Sequence, residues 1–249
     1  MNAIAVRGLK KMYGERAVIE DFSFDVARGE VVAILGPSGC GKSTILRCIG
    51  RIERADGGTI ETGGEVGFVF QEPRLFPWLT VRKNVAFAAR NDRERGRVEE
   101  TIALVGLEAA AEQLPKRLSG GMAQRAALAR ALIRHPEVLL LDEPLAALDA
   151  LRRFELQRAL SQILTVTRAA AVLVTHDVDE AIAVADRAVV LEPHGGRIAL
   201  DLAILPGARA GEPEAHAAQR AALLSALGVA EGDARRTAVV PATFGANFF

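Results

Sequence analysis

The run Gly36-Pro37-Ser38-Gly39-Cys40-Gly41-Lys42-Ser43-Thr44 constrains this chain more than any other stretch. An apolar strand pattern, Val31 to Leu35, leads into it. A helical pattern with Ile45, Leu46 and Ile49 on one face leads out. The run satisfies GxxxxGK[ST]. A glycine-rich turn that merely joined a strand to a helix would need neither the lysine nor the hydroxyl at those places. Glycines let backbone N–H groups converge on an anion with no side chain in the way. The helix N-terminus adds a favourable partial charge. The pattern therefore predicts a cradle for the phosphates of a nucleotide. In it Lys42 reaches the β- and γ-phosphates, Ser43 ligates Mg²⁺, and Thr44 touches the next phosphate along.

The rest of the chain is consistent with an α/β fold around this loop. Strand patterns precede it at Ile4 to Val6 and Phe22 to Val26. Others follow at Gly57–Gly64, Val66 to Phe70, Val138 to Leu141, Ala171 to Val174 and Ala188 to Leu191. Val138-Leu139-Leu140-Leu141 does not alternate, as expected of a parallel strand buried on both faces. Between Arg90 and Arg134 the residues are mostly helix formers, so a helical insertion interrupts the α/β core. Glu212 to Leu227 reads as one further helix, and Thr237 to Phe249 has no legible pattern.

Lys plus Arg equals Asp plus Glu at 31 each, so no basic footprint marks a nucleic-acid binder, and no nucleic-acid partner is expected. No apolar run is long enough to span a bilayer, and the first residues lack the apolar stretch of a secretory signal. Two cysteines, Cys40 and Cys48, sit on the loop and its following helix. No disulfide framework is expected, and a reducing cytoplasm is. A membrane role would need a separate membrane partner.

A second constellation is the pair Asp142-Glu143 at the end of the Val138 run. Alone it equally suits a strand ending in a solvated acidic turn. Beside a phosphate loop, Asp142 is placed for a second Mg²⁺ contact, and Glu143 can polarise the water that attacks a γ-phosphate.

Leu118-Ser119-Gly120-Gly121-Met122-Ala123-Gln124-Arg125 resembles the LSGGQ-type signature of ABC ATPases, with Met where Gln is usual. Ser119 can cap the helix that follows, and the two glycines leave its N-terminus bare as a second anion site. By itself the run is also an ordinary Ser-capped helix. Further motifs follow in the family's order over roughly residues 1 to 200. Tyr13 resembles the aromatic residue that stacks on adenine. Gln71 resembles the Q-loop glutamine, which senses Mg²⁺ or the attacking water. Leu145-Ala146-Ala147-Leu148-Asp149 resembles the D-loop, with Ala146 where Ser is common. His176 resembles the switch histidine that contacts the γ-phosphate and orients Glu143. Taken singly, each has a plain alternative: surface packing for Tyr13, a loop residue for Gln71, a helix cap for Asp149, a solvated strand end for His176.

The resemblance implies a P-loop (RecA-like) ABC ATPase core with an N-terminal antiparallel β subdomain and an inserted α-helical subdomain. The core would be 1–73 and 138–205, the helical subdomain about 74–137, and 206–249 a short C-terminal extension. It implies ATP and Mg²⁺ as ligands and hydrolysis at Glu143, His176 and Gln71. ATP would contact Tyr13, Gly36 to Thr44, Ser119, Gly120, Gly121 and Asp149, and the metal Ser43, Gln71 and Asp142. The implied partners are a second copy, paired head to tail, and permease subunits docking near Gln71 to Leu79. A periplasmic or extracellular solute-binding protein would act indirectly. The implied place is the cytoplasmic face of the inner membrane.

The apolar loop holding Trp78 suits a partner surface, or burial against the helical segment. The wording QEPRLFPWLTVRKNV is most similar to ATP-binding subunits of nitrate, sulfonate and taurine importers. The alternative is a soluble ABC ATPase acting on nucleic acid or ribosomes. The single compact motif set, with no long heptad run and no cysteine cluster, weighs against it.

Overall fold

The computed structural model describes residues 2–146 and 148–229. Two sheets form. β1 (Asn2–Tyr13), β2 (Arg16–Ala27) and β4 (Gly57–Thr62) make a three-stranded antiparallel sheet in the order β2-β1-β4. The larger sheet has six strands in the order β5-β6-β7-β3-β8-β9. They are β3 (Val31–Leu35), β5 (Val66–Val69), β6 (Val138–Asp142), β7 (Ala170–Val174), β8 (Arg187–Leu191) and β9 (Ile198–Ala203). All pairings in it are parallel except β8 with β9.

The six-stranded sheet lies between two apolar layers, and the alternation of its side chains shows why its strands read as unbroken apolar runs. Val32, Ile34, Leu140, Val172, Val174 and Val189 face the small sheet and α1 (Lys42–Ile49). Ala33, Leu35, Leu139, Leu141, Leu173 and Val190 face the opposite way, into a core shared with the helices. These are α2 (Val81–Ala88), α4 (Val98–Leu104), α5 (Gly120–Leu132), α6 (Ala150–Thr167) and α7 (Val178–Val184). With both faces covered, every β6 and β7 residue is buried.

Three sequence expectations needed correction. β1 and β2 are 12 residues each, far longer than the apolar runs within them, because their outer residues are polar and face solvent. The Arg90 to Arg134 stretch is broken into α3 (Asp92–Arg95), α4, two 3₁₀ turns and α5. Gly96 and Gly106 follow the first two of these elements, and Pro115 opens the second 3₁₀ turn. β9 was not foreseen; it is an edge strand whose alternate residues stay outside the core. The C-terminal reading was close: α8 (Pro206–Arg209) is followed by α9 (Pro213–Ala226), and Gln219 ties α9 to the end of β9 through the Ala203 carbonyl (2.8 Å) and the Leu205 amide (3.0 Å). The expectations for Ala147 and for Thr237 to Phe249 lie outside the described residues.

This topology sets the site. β6, β7 and β3 are neighbours, so their carboxyl ends meet at one edge of the sheet, where ligands of open parallel sheets bind. Backbone bonds tie those ends together: the Glu143 amide donates to Val174 O (3.0 Å) and the Thr175 amide to Ile34 O (3.2 Å).

Candidate nucleotide site

The loop after β3 wraps round the amine of its own lysine. Lys42 Nζ donates to the carbonyls of Gly36 (2.7 Å) and Pro37 (2.9 Å), and lies 4.0 Å from Cys40 Sγ. Gly41 starts α1 with φ +106, a conformation that glycine alone adopts easily, and no side chain caps the helix there. A side chain at Gly36 would strike Cys40 Sγ at 2.8 Å. The loop is therefore held tight, with the Cys40 amide closing on the Pro37 carbonyl (3.4 Å). Cys40 is buried beneath it, which removes the exposed thiol that a reagent would need. Burial also pushes the Cys48 thiol up to about 11.

Asp142, at the end of β6, accepts a hydrogen bond from Ser43 Oγ (2.7 Å), and Arg47 Nη2 stands 3.8 Å from its second oxygen. So the structure brings together the hydroxyl and carboxylate expected at a metal. Hard oxygen donors of this kind suit Mg²⁺, which takes few protein ligands and keeps phosphate and water in the rest of its shell. Among the described residues no group of three His, Cys, Asp or Glu could form an all-protein metal cage. Gln71, the third expected ligand, is exposed just past β5 and bonds to neither residue.

Glu143 and His176 meet although they are 33 residues apart in sequence: His176 Nδ1 lies 3.3 Å from Glu143 Oε2. Glu143 has φ +43, left-handed backbone that costs a non-glycine residue on the order of 1 kcal/mol. Pro144 follows and disfavours the right-handed helical alternative. The bend turns the side chain back toward the strand ends, where it is 22% exposed.

Tyr13, exposed at the end of β1, donates its hydroxyl to Glu53 and lies under Lys11 Nζ, 5.4 Å from the ring centroid. Burial and the Glu53 contact push its phenol up. Ser119 caps α5 by accepting from the Met122 amide (3.3 Å), and Asp149 caps α6 by accepting from the Arg152 amide (3.0 Å). A side chain at Gly120 would touch Leu148. Among the described residues no hydrogen bond or ion pair links Ser119, Gly120 or Gly121 to the phosphate loop. Of the two glycine-flanked helix N-termini, those of α1 and α5, only that of α1 lies among the β3, β6 and β7 ends.

Residues 19–146 match the ABC transporter family. The chain belongs to that family. It is 47% identical over 229 residues to an aliphatic sulfonates import ATP-binding protein of Nocardia farcinica, covering 91% of this chain and 92% of the relative. A protein of the same description from Burkholderia cenocepacia is 44% identical over 233 residues, 89% of this chain and 86% of that one. Among solved structures, the ATP-binding cassette MJ0796, a dimer bound to ADP and Pi, superposes with TM-score 0.71 at 29% identity, covering 81% of this chain and 99% of that one. Clostridium perfringens cbiO1, part of an ABC transporter complex, gives 0.75 at 27%, covering 91% and 97%.

This ABC transporter chain also depends on residues without a sequence signature. Asn84, fully buried on α2, accepts from the Phe76 amide (2.8 Å) and donates to the carbonyls of Phe76, Leu79 and Thr80. It pins the loop so that Leu75 packs inward while Trp78 stands 72% exposed beside Phe76 and the exposed Phe87. The two readings of that loop therefore divide between its residues. From α5, Gln124 donates to Phe70 O (3.1 Å), and Arg130 to the carbonyls of Pro73 and Arg74, fastening the segment around Gln71. Nothing in the residue type of Arg130 names partners that far away, and nothing in that of Asn84 marks it as the residue that holds the loop before it.

Glu180 on α7 is the third such residue. It is 5% exposed, and burial pushes its carboxyl up to about 7. Asp177 and Glu143 push the same way, against Arg153 and the Thr175 hydroxyl that donates to it (2.6 Å). A carboxyl that protonates more readily folded than unfolded adds stability at low pH and loses it as pH rises from about 4.5 to about 7. Glu180→Gln keeps the shape and the acceptor and should flatten this dependence. We expect wild type to lose melting temperature between pH 5 and pH 8, and the variant to gain up to roughly 3 kcal/mol over wild type at pH 8. Parallel thermal curves for the two proteins across that range would refute the assignment.

Proposed function

We propose that this chain is the ATP-hydrolysing motor subunit of an importer for aliphatic sulfonates or a related small organic solute, bound peripherally to permease subunits at the cytoplasmic face of the inner membrane. The carrying observation is the meeting of Glu143 and His176, 3.3 Å apart, beside the Ser43–Asp142 pair and the lysine-bearing loop.

In this reading the loop amides from Gly36 to Thr44 and the Lys42 amine hold the ATP phosphates, and Tyr13 stacks on adenine. Ser43 and Asp142 would hold Mg²⁺, with Gln71 joining when its loop moves. The metal supplies charge neutralisation on the phosphate oxygens. Glu143 orients and deprotonates water, and His176 holds Glu143 and meets the γ-phosphate. The N-terminus of α5, with its cap Ser119 and with Gly120 and Gly121, then serves ATP on a second copy paired head to tail. Asp149 lies at the same face. The helical segment 74–137 would act as the subdomain that moves against the core.

No helix among the described residues is long and apolar enough to cross a membrane, so permease contact must come through a surface. The exposed Trp78 and Phe87 supply one. Large aromatics at the centre of an interface carry much of its binding energy. A solute-binding protein would act through the permease. The soluble, nucleic-acid or ribosome reading finds no support in the relatives, whose names are those of import proteins.

The test is purification of the chain from its native membranes in mild detergent. A polytopic membrane protein should come with it in near-equal amount. Trp78→Asp should cut that recovery at least about tenfold with an unchanged melting temperature. Recovery of ribosomes, nucleic acid or no partner would overturn the reading.

A further inference from the structure

His176 is 63% exposed, and Glu143 is the only side chain it contacts through a hydrogen bond or ion pair among the described residues. Its position is therefore set by the turn that carries it. That turn is held by four polar contacts, the first of them buried. The Thr175 hydroxyl donates to Glu180 Oε2 (2.6 Å) and accepts from the Asp177 amide (3.0 Å). Asp177 Oδ1 caps α7 by accepting from the Asp179 and Glu180 amides (2.9 and 3.1 Å).

Glu143 is set by the other loop. After it the chain turns through Leu145 and Leu148, which are buried together with Leu156 of α6. The Ala146 amide closes back on the Glu143 carbonyl (3.3 Å).

One side chain reaches both loops. From the first turn of α6, Arg153 Nη1 donates to Asp177 Oδ2 (3.2 Å) and Nη2 donates to Leu148 O (3.3 Å). Apart from the Glu143–His176 contact itself, it is the only side chain among the described residues whose hydrogen bonds join the two loops. Its Nε is buried without a partner, so the guanidinium is spent on these two contacts. The planar fork suits the task, since it fixes two acceptors in a set geometry, which an ammonium does not.

We propose that Arg153 is a positioning residue for ATP hydrolysis: it clamps the loop bearing Glu143 to the turn bearing His176 and so fixes the approach of the two groups. This rests on the function proposed above, and it adds a residue that touches neither nucleotide nor water. Small displacements of a reacting group cost rate far more than they cost binding. The signature of the clamp is therefore a fall in kcat with KM unchanged.

The experiment measures phosphate release against ATP concentration, ATP affinity and melting temperature for Arg153→Met, Arg153→Lys and Asp177→Asn. Asp177→Asn keeps the oxygen that caps α7 and removes the charge that Arg153 holds. Glu143→Gln and Arg158→Ala, the latter changing a neighbour on α6 that stacks over the exposed Phe154, serve as references. We expect Arg153→Met to lower kcat about tenfold with KM and ATP affinity within about twofold, Arg153→Lys to recover part of the loss, and Arg158→Ala to match wild type. Asp177→Asn should lower kcat in the same way, and the double variant Arg153→Met/Asp177→Asn should fall no further than Arg153→Met alone.

An Arg153→Met protein that folds and turns over at the wild-type rate overturns the clamp. So does one that loses kcat, KM and melting temperature together while Asp177→Asn is normal. Should Arg153→Met not fold, a wild-type kcat in Asp177→Asn overturns it alone. A wild-type chain that hydrolyses no ATP sinks both the clamp and the proposed function. Hydrolysis that Glu143→Gln abolishes, with Arg153 and Asp177 variants like wild type, sinks the clamp only.

Discussion

Glu143→Gln will lower ATP hydrolysis by about 10² to 10⁴, the range that a positioned general base contributes, while ATP binds nearly as well as to wild type. The substitution is nearly isosteric. Its oxygen can still accept from His176, so the 3.3 Å contact and the shape of the pocket are kept. What is lost is the ability to take a proton. The left-handed backbone at φ +43 is unaffected, because it belongs to the loop and the following proline, and glutamine meets the same steric limits as glutamate. Binding and turnover therefore separate cleanly in this variant. With ATP bound and unspent, the head-to-tail dimer that it bridges should accumulate. Light scattering with and without ATP would detect it, and phosphate release would give the rate. Turnover near the wild-type rate would remove Glu143 from the chemistry and leave His176 as the place to look next. Loss of ATP binding along with turnover would mean that the residue shapes the pocket instead.

What made this prediction available from sequence was the phosphate loop and the apolar run ending in Asp142-Glu143. Both are local patterns with a fixed mechanical meaning. A strand, six loop residues and a helix specify one another, and a strand buried on both faces shows as Val138 to Leu141 without alternation. Caps were legible for the same reason, since Ser119 and Asp149 act on amides three residues away.

The parts that escaped are those whose burial or partners only the fold decides. Arg153 is one of several arginines on α6, and only the fold brings Asp177 and Leu148 to it. Glu180 reads as a helix-surface glutamate until β7 and α7 bury it. The Trp78 loop could not be divided into inward and outward residues, because that depends on Asn84 reaching four backbone groups around it. β9 escaped because an edge strand with alternating exposure gives a weak apolar signal.

Lys42→Met should abolish measurable hydrolysis and weaken ATP binding by about 10- to 10²-fold, as expected when a charge-assisted hydrogen bond of roughly 1.5–3 kcal/mol is lost. Methionine is close to lysine in length and apolar, so it can lie in the same channel, which is only 6% exposed. Two effects on stability then oppose each other. The buried Gly36 carbonyl loses its 2.7 Å donor, a cost of about 1–3 kcal/mol. At the same time a charge no longer has to be buried, which returns part of that cost. The melting temperature should therefore move by only a few degrees while binding collapses. A fluorescent ATP analogue titrated into wild type and variant, with a thermal melt on each, separates the two. Wild-type affinity in a folded Lys42→Met protein would mean that the amine stays on the Gly36 and Pro37 carbonyls when nucleotide binds. The loop amides and the α1 N-terminus would then hold the phosphates unaided. The opposite result places the amine on the phosphates, and its two carbonyl contacts become the position it leaves when ATP arrives.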